Sequence, residues 1–409
     1  MRDLAEAPFL DPFDPELAVD PEPVYAALRE ESAVARTPLG ASVLRRDEIH
    51  RLLGDRRLIS SIPHLVRLQG AGDGPAGQLL ESSVIAVDGP DHTRLRRLVS
   101  RSFTPSAANR HRPLMRSLVE ELVDGFERGP DGKGRCELVT DFADHYPVRV
   151  ICSVLGVPDE DHERFGRWAE SITYVLSLEL SAHLDEVVQA VGELDEYVRD
   201  LVAQRRRAPQ DDLVTSLVQA SEDGDRLSED ELLSMIGGLL FAGVDTTRNQ
   251  LGLAVHTFCE HPDQWALLGR EPERAPAAVN EVMRLHGAVP GIPRVTLEDV
   301  EVDGWCIPAN TIVFLSLASA NRDARHYDDA LCFDITAERE AHLTFGGGPH
   351  YCLGANLARA EMEEALAVLA RAMPDVRLDG EPEWRMATGI AGPTRLPLAF
   401  GPGREDARR

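Results

Sequence analysis

Cys352 stands between a glycine-rich turn and a helix-forming run. In FGGGPHYCLGANLAR, residues 345–359, three consecutive glycines precede it, and LGANLARAEMEEALAVLAR follows. An axial ligand to iron must be a deprotonated thiol, held rigidly and reachable from one side only. Gly346, Gly347 and Gly348 let the backbone turn sharply and approach a flat cofactor that any Cβ would hold off. The amides and dipole of a helix opened by Cys352 favour thiolate charge, while Gly354 and Ala358 keep the near face of that helix thin. Two plainer alternatives are a turn with Cys352 as a buried thiol, and a phosphate cradle. The lysine that a phosphate-binding loop needs is missing, and the whole spacing FxxGxHxCxG is far more specific than its glycine triplet.

A second chemical stretch is LSEDELLSMIGGLLFAGVDTTRNQLG, residues 227–252. Ser228 with Glu231 forms a capping box that starts a long helix. Asp245, Thr246 and Thr247 interrupt an otherwise apolar run, next to Ala242 and Gly243. One account is a glycine that lets two helices pack closely, with threonine hydroxyls bonded back to carbonyls one turn earlier. The other is a local bulge at Ala242 and Gly243 that opens a groove for dioxygen, with Asp245 and Thr246 relaying protons from solvent. Glu281 and Arg284 form a third feature, an ExxR pair in APAAVNEVMRLHG. The same spacing recurs at Glu196/Arg199, Glu271/Arg274 and Glu405/Arg408, and by default such a pair lies on a solvated helix face.

The elements that must hold these residues are mainly helical. From about 91 to 270 apolar residues recur at three- and four-residue spacing, as in LVEELVDGFE and LDEYVRDLVAQRRR. Short strand-like runs appear near ASVLRR, in RVTLEDVEVDGWCIPANTIVFLSL and at RLPLAF, and GAGDGP at 70–75 reads as a loop. The expectation is one domain over 1–409, mainly α with a small β region (α+β). The β part covers about 15–60 and 294–400, the helical body about 90–290 and 353–372.

The chain has 409 residues and a formal charge of -26, which argues against unaided binding to nucleic acid or an anionic membrane surface. The N-terminus lacks the basic start and apolar run of a secretory signal. Its most apolar stretch, LLSMIGGLLFAGV, is 13 residues long, short of the roughly 18 that span a bilayer. A cytoplasmic monomer is the expectation. Six cysteines without CxxC spacing signal neither zinc nor an iron–sulfur cluster, and most read as buried thiols.

With these motifs in order, the chain resembles the cytochrome P-450 haem-thiolate monooxygenases in their soluble bacterial form. Phe345, Gly348, His350, Cys352 and Gly354 match that family's haem-binding signature, and AGVDTT at 242–247 its acid–alcohol motif. The likeness runs from about 15 to 400, departing at Asn310, where the family has glycine and asparagine also tolerates a left-handed turn. It implies haem b with Cys352 as axial thiolate and Phe345 beside its sulfur. Ala242 and Gly243 would line the haem groove, and His92, Arg96, Arg294 and His350 would meet the two propionates. Glu281, Arg284 and Arg339 become a buried structural network. Gly238, Phe241, Ala242, Val289 to Ile292, and Ile390 face an apolar substrate. Heterolysis of dioxygen needs two protons at the distal oxygen, which suits a hydroxyl that orders water, Thr246, backed by a carboxylate, Asp245, able to rotate to solvent.

The implied function is insertion of one oxygen atom into an apolar small molecule, most simply as a hydroxyl, with two electrons from a separate ferredoxin-like donor and its reductase. Arg94, Arg97, Arg101, Arg110, Arg112 and Arg116, clustered in an acidic chain, are the expected docking patch. A peroxide-driven peroxygenase and a non-catalytic haem sensor are the alternatives.

Overall fold

The computed structural model describes residues 1–403 except 13, 15–16, 18–19, 71–76, 78–82, 177–179, 223–224 and 386–388. Nearly all of GAGDGP, expected as a loop, therefore lies outside the described residues.

Ten helices carry the architecture: α1 (Glu22–Glu31), α2 (Gly89–Val99), α3 (Arg112–Asp124), α4 (Tyr146–Leu155), α5 (His162–Ile172), α6 (Leu184–Arg207), α7 (Glu229–Glu260), α8 (Pro262–Arg270), α9 (Ala275–Leu285) and α10 (Ala355–Ala372). The longest, α7, starts where the sequence places it: Ser228 Oγ accepts from the Glu231 amide and Glu231 Oε2 accepts from the Ser228 amide at 2.8 Å. Its 32 residues are apolar around most of the circumference, the pattern of a helix buried on several sides. It packs on α4, α5, α6, α9 and α10, while α10 packs on α3, α8 and α9. Val244, Leu251, Val255, Leu366 and Leu369 belong to the main core cluster.

Two of the five sheets among the described residues, the five-stranded and the four-stranded, hold most of the β structure. Strands β1 (Val34–Thr37), β2 (Gly40–Val43), β3 (Leu58–Ser60), β6 (Ile292–Thr296) and β7 (Ile312–Leu315) form a sheet in the order β1-β2-β7-β6-β3. Its register sets Val313 opposite Arg294 and Ser60 opposite Arg294 from the other side, which fixes Arg294 in the middle of β6. A second sheet, β8-β11-β5-β4, joins β8 (Arg377–Leu378) and β11 (Pro397–Phe400) to β4 (Glu127–Arg128) and β5 (Gly134–Glu137). The last two fall inside the stretch expected to be helical. Here Gly132, at φ 78°, helps turn the chain, and β5 finds its main partner in β11, Pro397 opposite Glu137. Pairing across that sequence distance leaves no local periodicity to read. The pair β9 (Glu383–Trp384) and β10 (Pro393–Arg395) forms a small hairpin before β11.

Asn310 adopts φ 59°, the left-handed turn its side chain tolerates. Among the described residues no helix is long and apolar enough to cross a membrane. Of the six cysteines only Cys136 and Cys152 are buried; Cys259 and Cys306 are half-buried, and Cys332 and Cys352 are exposed, so most are not the buried thiols expected.

Candidate functional site

The cysteine loop is built by its glycines, which make the sharp turn expected of them. Gly346 and Gly348 have φ 71° and 60°, a region that L side chains rarely enter. A Cβ on Gly348 would also stand 2.2 Å from the carbonyl oxygen of Leu53. The loop is thus pressed against the chain at Leu53 and Gly54. Within it the Cys352 amide donates to Phe345 O at 2.9 Å. Cys352 does not itself open the helix: α10 begins at Ala355, with Gly354 as its N-cap. The thiol is exposed, yet burial in the surrounding protein is the largest influence on it and raises its pKa, opposed by the Gly354 N–H, Arg96 and Arg359. A side chain with open surface deep in a fold lies on the wall of an internal cleft. Phe345 is buried, with the Arg359 guanidinium 4.4 Å from its ring centroid.

Helix α7 supplies a second open face. Gly238, Ala242 and Thr246, four residues apart, share one side of the helix. Ala242 is exposed in the middle of a largely buried element, Gly238 and Thr246 are half-buried, and a Cβ added at Gly238 would meet nothing within 4 Å. The expected bulge at Ala242 and Gly243 is absent, because the α-helical ladder runs unbroken from Glu229 to Glu260. Gly243 instead permits close packing: a Cβ there would lie 3.3 Å from Ile151 of α4. Phe241, expected to face substrate, is 3% exposed and belongs to the main core. Its position, one residue before Ala242, turns it about 100° away from the open face.

Polar groups gather beside the cysteine loop. His92 on α2 is buried, its Nε2 has no hydrogen-bond partner, and its ring lies 4.2 Å from that of His350. His350 Nε2 is 2.8 Å from Asp88 Oδ1, while Asp88 Oδ2 accepts from the Ser60 amide at 2.8 Å. Burial pushes His92 down to about 4, with His350 and Arg96 adding repulsion. Burial also lowers the pKa of Arg294, against the pull of Asp88. Arg96 instead donates to the carbonyl of Tyr351. The structure therefore brings His92, His350 and Arg294 together around Asp88, which sequence reasoning missed. An orphaned buried ring nitrogen and a desolvated guanidinium suit the carboxylates of a bound group. Together with the accessible Cys352 thiol, they fit an iron porphyrin carrying two propionates.

Glu281 and Arg284 are bound through two parallel contacts of 2.8 Å, both almost fully buried. Arg284 also donates to the carbonyls of Asn321, Ala330 and Cys332, and Arg339 Nε donates to Glu281 Oε1 at 3.0 Å. This network joins α9 to the segment that leads into the cysteine loop. Ile292 reaches that loop as well, since a Cβ on Gly346 would meet its Cδ1 at 3.1 Å. Val289 and Ile292 are half-buried, and Ile390 is buried beside Ala391, whose amide donates to Ala288 O at 2.7 Å.

Asp245 is 4% exposed and bound to Arg385, another residue absent from the sequence reading. The arginine cluster is partly neutralised. Arg94 pairs with Glu231, Arg112 with Glu363 and Glu364, and Arg116 with Glu364; Arg97, Arg101 and Arg110 lie on the surface, the first two with interactions of their own.

Known proteins are similar to this chain over most of its length. The family description "Cytochrome P450" matches residues 76–372. The chain is 42% identical over 402 residues to luteothin monooxygenase of Streptomyces thioluteus, covering 97% of each chain. It is 37% identical to vitamin D(3) 25-hydroxylase of Pseudonocardia autotrophica, covering 94% of each. Among solved structures, that of CalO2 superposes with a TM-score of 0.90 at 32% identity, covering 97% of this chain and 100% of the other.

Proposed function

The chain belongs to the cytochrome P450 family and is a monooxygenase of that family, and from that premise we propose that it hydroxylates an apolar small molecule with haem b held by the Cys352 thiolate. The observation that carries this reading is the exposed Cys352 thiol beside the unpartnered His92 Nε2 and the half-buried Arg294. When bound, the iron porphyrin supplies dioxygen binding and one-electron redox chemistry. Dioxygen, two electrons, two protons and a substrate C–H bond give a C–OH bond and one water. If the second proton arrives at the wrong oxygen, the same electrons leave as hydrogen peroxide.

The protein's own residues then have separable tasks. Arg294 would offset propionate charge while His92 and His350 would offer ring nitrogens for hydrogen bonds to it, and the turn at Gly346 and Gly348 would present the thiol. The Gly238–Ala242–Thr246 face of α7 would leave room for dioxygen and substrate, with Thr246 ordering water there. Val289, Ile292 and Ile390 present aliphatic surface to substrate. Relatives named for mycinamicin IV and vitamin D(3) support a substrate of moderate bulk. The electron donor is a ferredoxin-type protein that meets the exposed Arg97 and Arg101.

The test is the absorbance difference spectrum of the dithionite-reduced protein with and without carbon monoxide. A strongly red-shifted Soret band that disappears in Cys352→His is the expected result. Absence of haem absorbance in protein made with adequate haem supply would overturn the reading.

A further inference from the structure

Arg359 is a cation that no acid neutralises. It lies half-buried in the second turn of α10, near the end of a helix where the dipole favours negative charge. Its Nη2 donates to the Tyr351 hydroxyl at 3.2 Å, and its guanidinium carbon stands 4.4 Å from the centre of the Phe345 ring. Among the described residues no carboxylate pairs with it. Arg112, which reaches the same helix, is by contrast met by Glu363 and Glu364.

Tyr351 is fixed at both ends. Arg96 donates to its carbonyl and Arg359 to its hydroxyl, while its own amide donates to Gly348 O at 3.2 Å. Its ring is 39% exposed and lies 6.3 Å from that of Phe345. A guanidinium seated on an aromatic face is attracted by the ring quadrupole, so the Phe345 face and the Tyr351 hydroxyl together give the Arg359 charge a set place. That place is within reach of the sulfur. Burial raises the pKa of Cys352, and Arg359 acts with the Gly354 N–H and Arg96 in the opposite sense, favouring the thiolate.

A positive charge beside a sulfur ligand draws electron density away from the metal and favours the state that holds one more electron. We propose that Arg359 raises the reduction potential of the iron bound at Cys352, with Tyr351 as the positioning residue that holds its charge over Phe345. The inference rests on the haem-thiolate reading and adds to it a control on the first electron transfer. In that step one electron leaves the ferredoxin-type donor and the ferric iron becomes ferrous, with no bond made or broken.

The test is a spectroelectrochemical titration of the substrate-free holoenzyme with small-molecule mediators, comparing wild type with Arg359→Gln, Arg359→Lys and Tyr351→Phe. Mediators bypass the donor, so a role of Arg359 in docking alone would leave the potential unmoved. Melting temperature, haem bound per chain and the carbon monoxide difference spectrum are recorded on the same samples. The expected result for R359Q is an equilibrium constant for reduction lower by about tenfold, equivalent to about 59 mV for one electron, with haem content and melting temperature close to wild type. R359K keeps the charge and should recover most of the loss. Y351F keeps the ring, drops the hydroxyl and should lower the constant by about twofold to threefold.

An unchanged constant in R359Q would overturn the proposal, and so would R359K falling as far as R359Q, since charge would then not be the agent. If R359Q is recovered without haem, the other two variants decide: a constant in Y351F that is unchanged or raised overturns it. Wild-type protein without a red-shifted carbon monoxide band would overturn the haem-thiolate reading itself, a result distinct from a normal band with unshifted variants.

Discussion

Thr246 Oγ1 donates to the carbonyl oxygen of Ala242, one turn earlier on α7, at 2.7 Å. A hydroxyl has one proton to donate and two lone pairs. With the proton spent on Ala242, Thr246 can meet a cleft water only as an acceptor, so that such a water would give one hydrogen bond to Thr246 and have its other proton left for dioxygen.

The sharpest variant for that role is Thr246→Val, which keeps the shape and removes the acceptor. Donor-driven turnover should release severalfold more hydrogen peroxide per dioxygen consumed, with product falling correspondingly. Thr246→Ser should stay near wild type, since its hydroxyl can make the same bond to Ala242. Oxygen-electrode and peroxide assays on the three proteins check the ratio, and equal coupling in wild type and T246V would remove Thr246 from the proton path.

Two ExxR pairs of identical spacing should differ widely in their effect on stability. In Arg284–Glu281 the side chains are 1% and 6% exposed, against 37% and 39% in Arg274–Glu271. Arg284→Ala leaves Glu281 as a buried charge with Arg339 and the Asp334 amide as remaining partners, and takes a donor from the Asn321, Ala330 and Cys332 carbonyls, of which Cys332 O keeps Arg339 Nη2. The expected loss is about 3–5 kcal/mol, seen in urea unfolding and in poor haem retention. Arg274→Ala should change stability by less than about 1 kcal/mol. A small effect of R284A would show that Arg339 alone can hold the network.

The difference between those pairs marks what was legible in the sequence and what was not. Spacing within one element could be read, because capping, ExxR geometry and the FxxGxHxCxG turn are set by neighbours a few residues apart. Placement of the critical ExxR copy came from its position in an ordered set of motifs, since several copies, Glu48/Arg51 among them, are locally alike. The β5–β11 pairing, the Asp88 contact with His350 and the Arg385 clamp on Asp245 join residues far apart in sequence and leave no local signal. Phe241 was misjudged because α7 is apolar on nearly every side, so no polar stripe marks which face is open. The glycines were read correctly as turn-makers, whereas the close approach of the Leu53 carbonyl to Gly348 joins distant segments and left no local signal.

Electron delivery gives the last expectation. Arg97 and Arg101 are exposed at the end of α2 and just beyond it. Arg96 on the same helix donates to Tyr351 O in the cysteine loop, and Asn356 of α10 donates to Phe103 O at 3.0 Å. These contacts tie the basic surface to the thiol side of the site, where an electron has the shortest way in. Arg112 and Arg116 contribute less net charge than the sequence suggests, because Glu363 and Glu364 lie against them. Charge reversal at Arg97 or Arg101 should therefore raise the apparent KM for an acidic ferredoxin severalfold at low salt and flatten its dependence on ionic strength. Peroxide-driven oxidation should not change, since no donor docks. Steady-state kinetics across a salt series check both variants, and an unaltered KM with an unaltered salt slope in each would move the docking surface elsewhere.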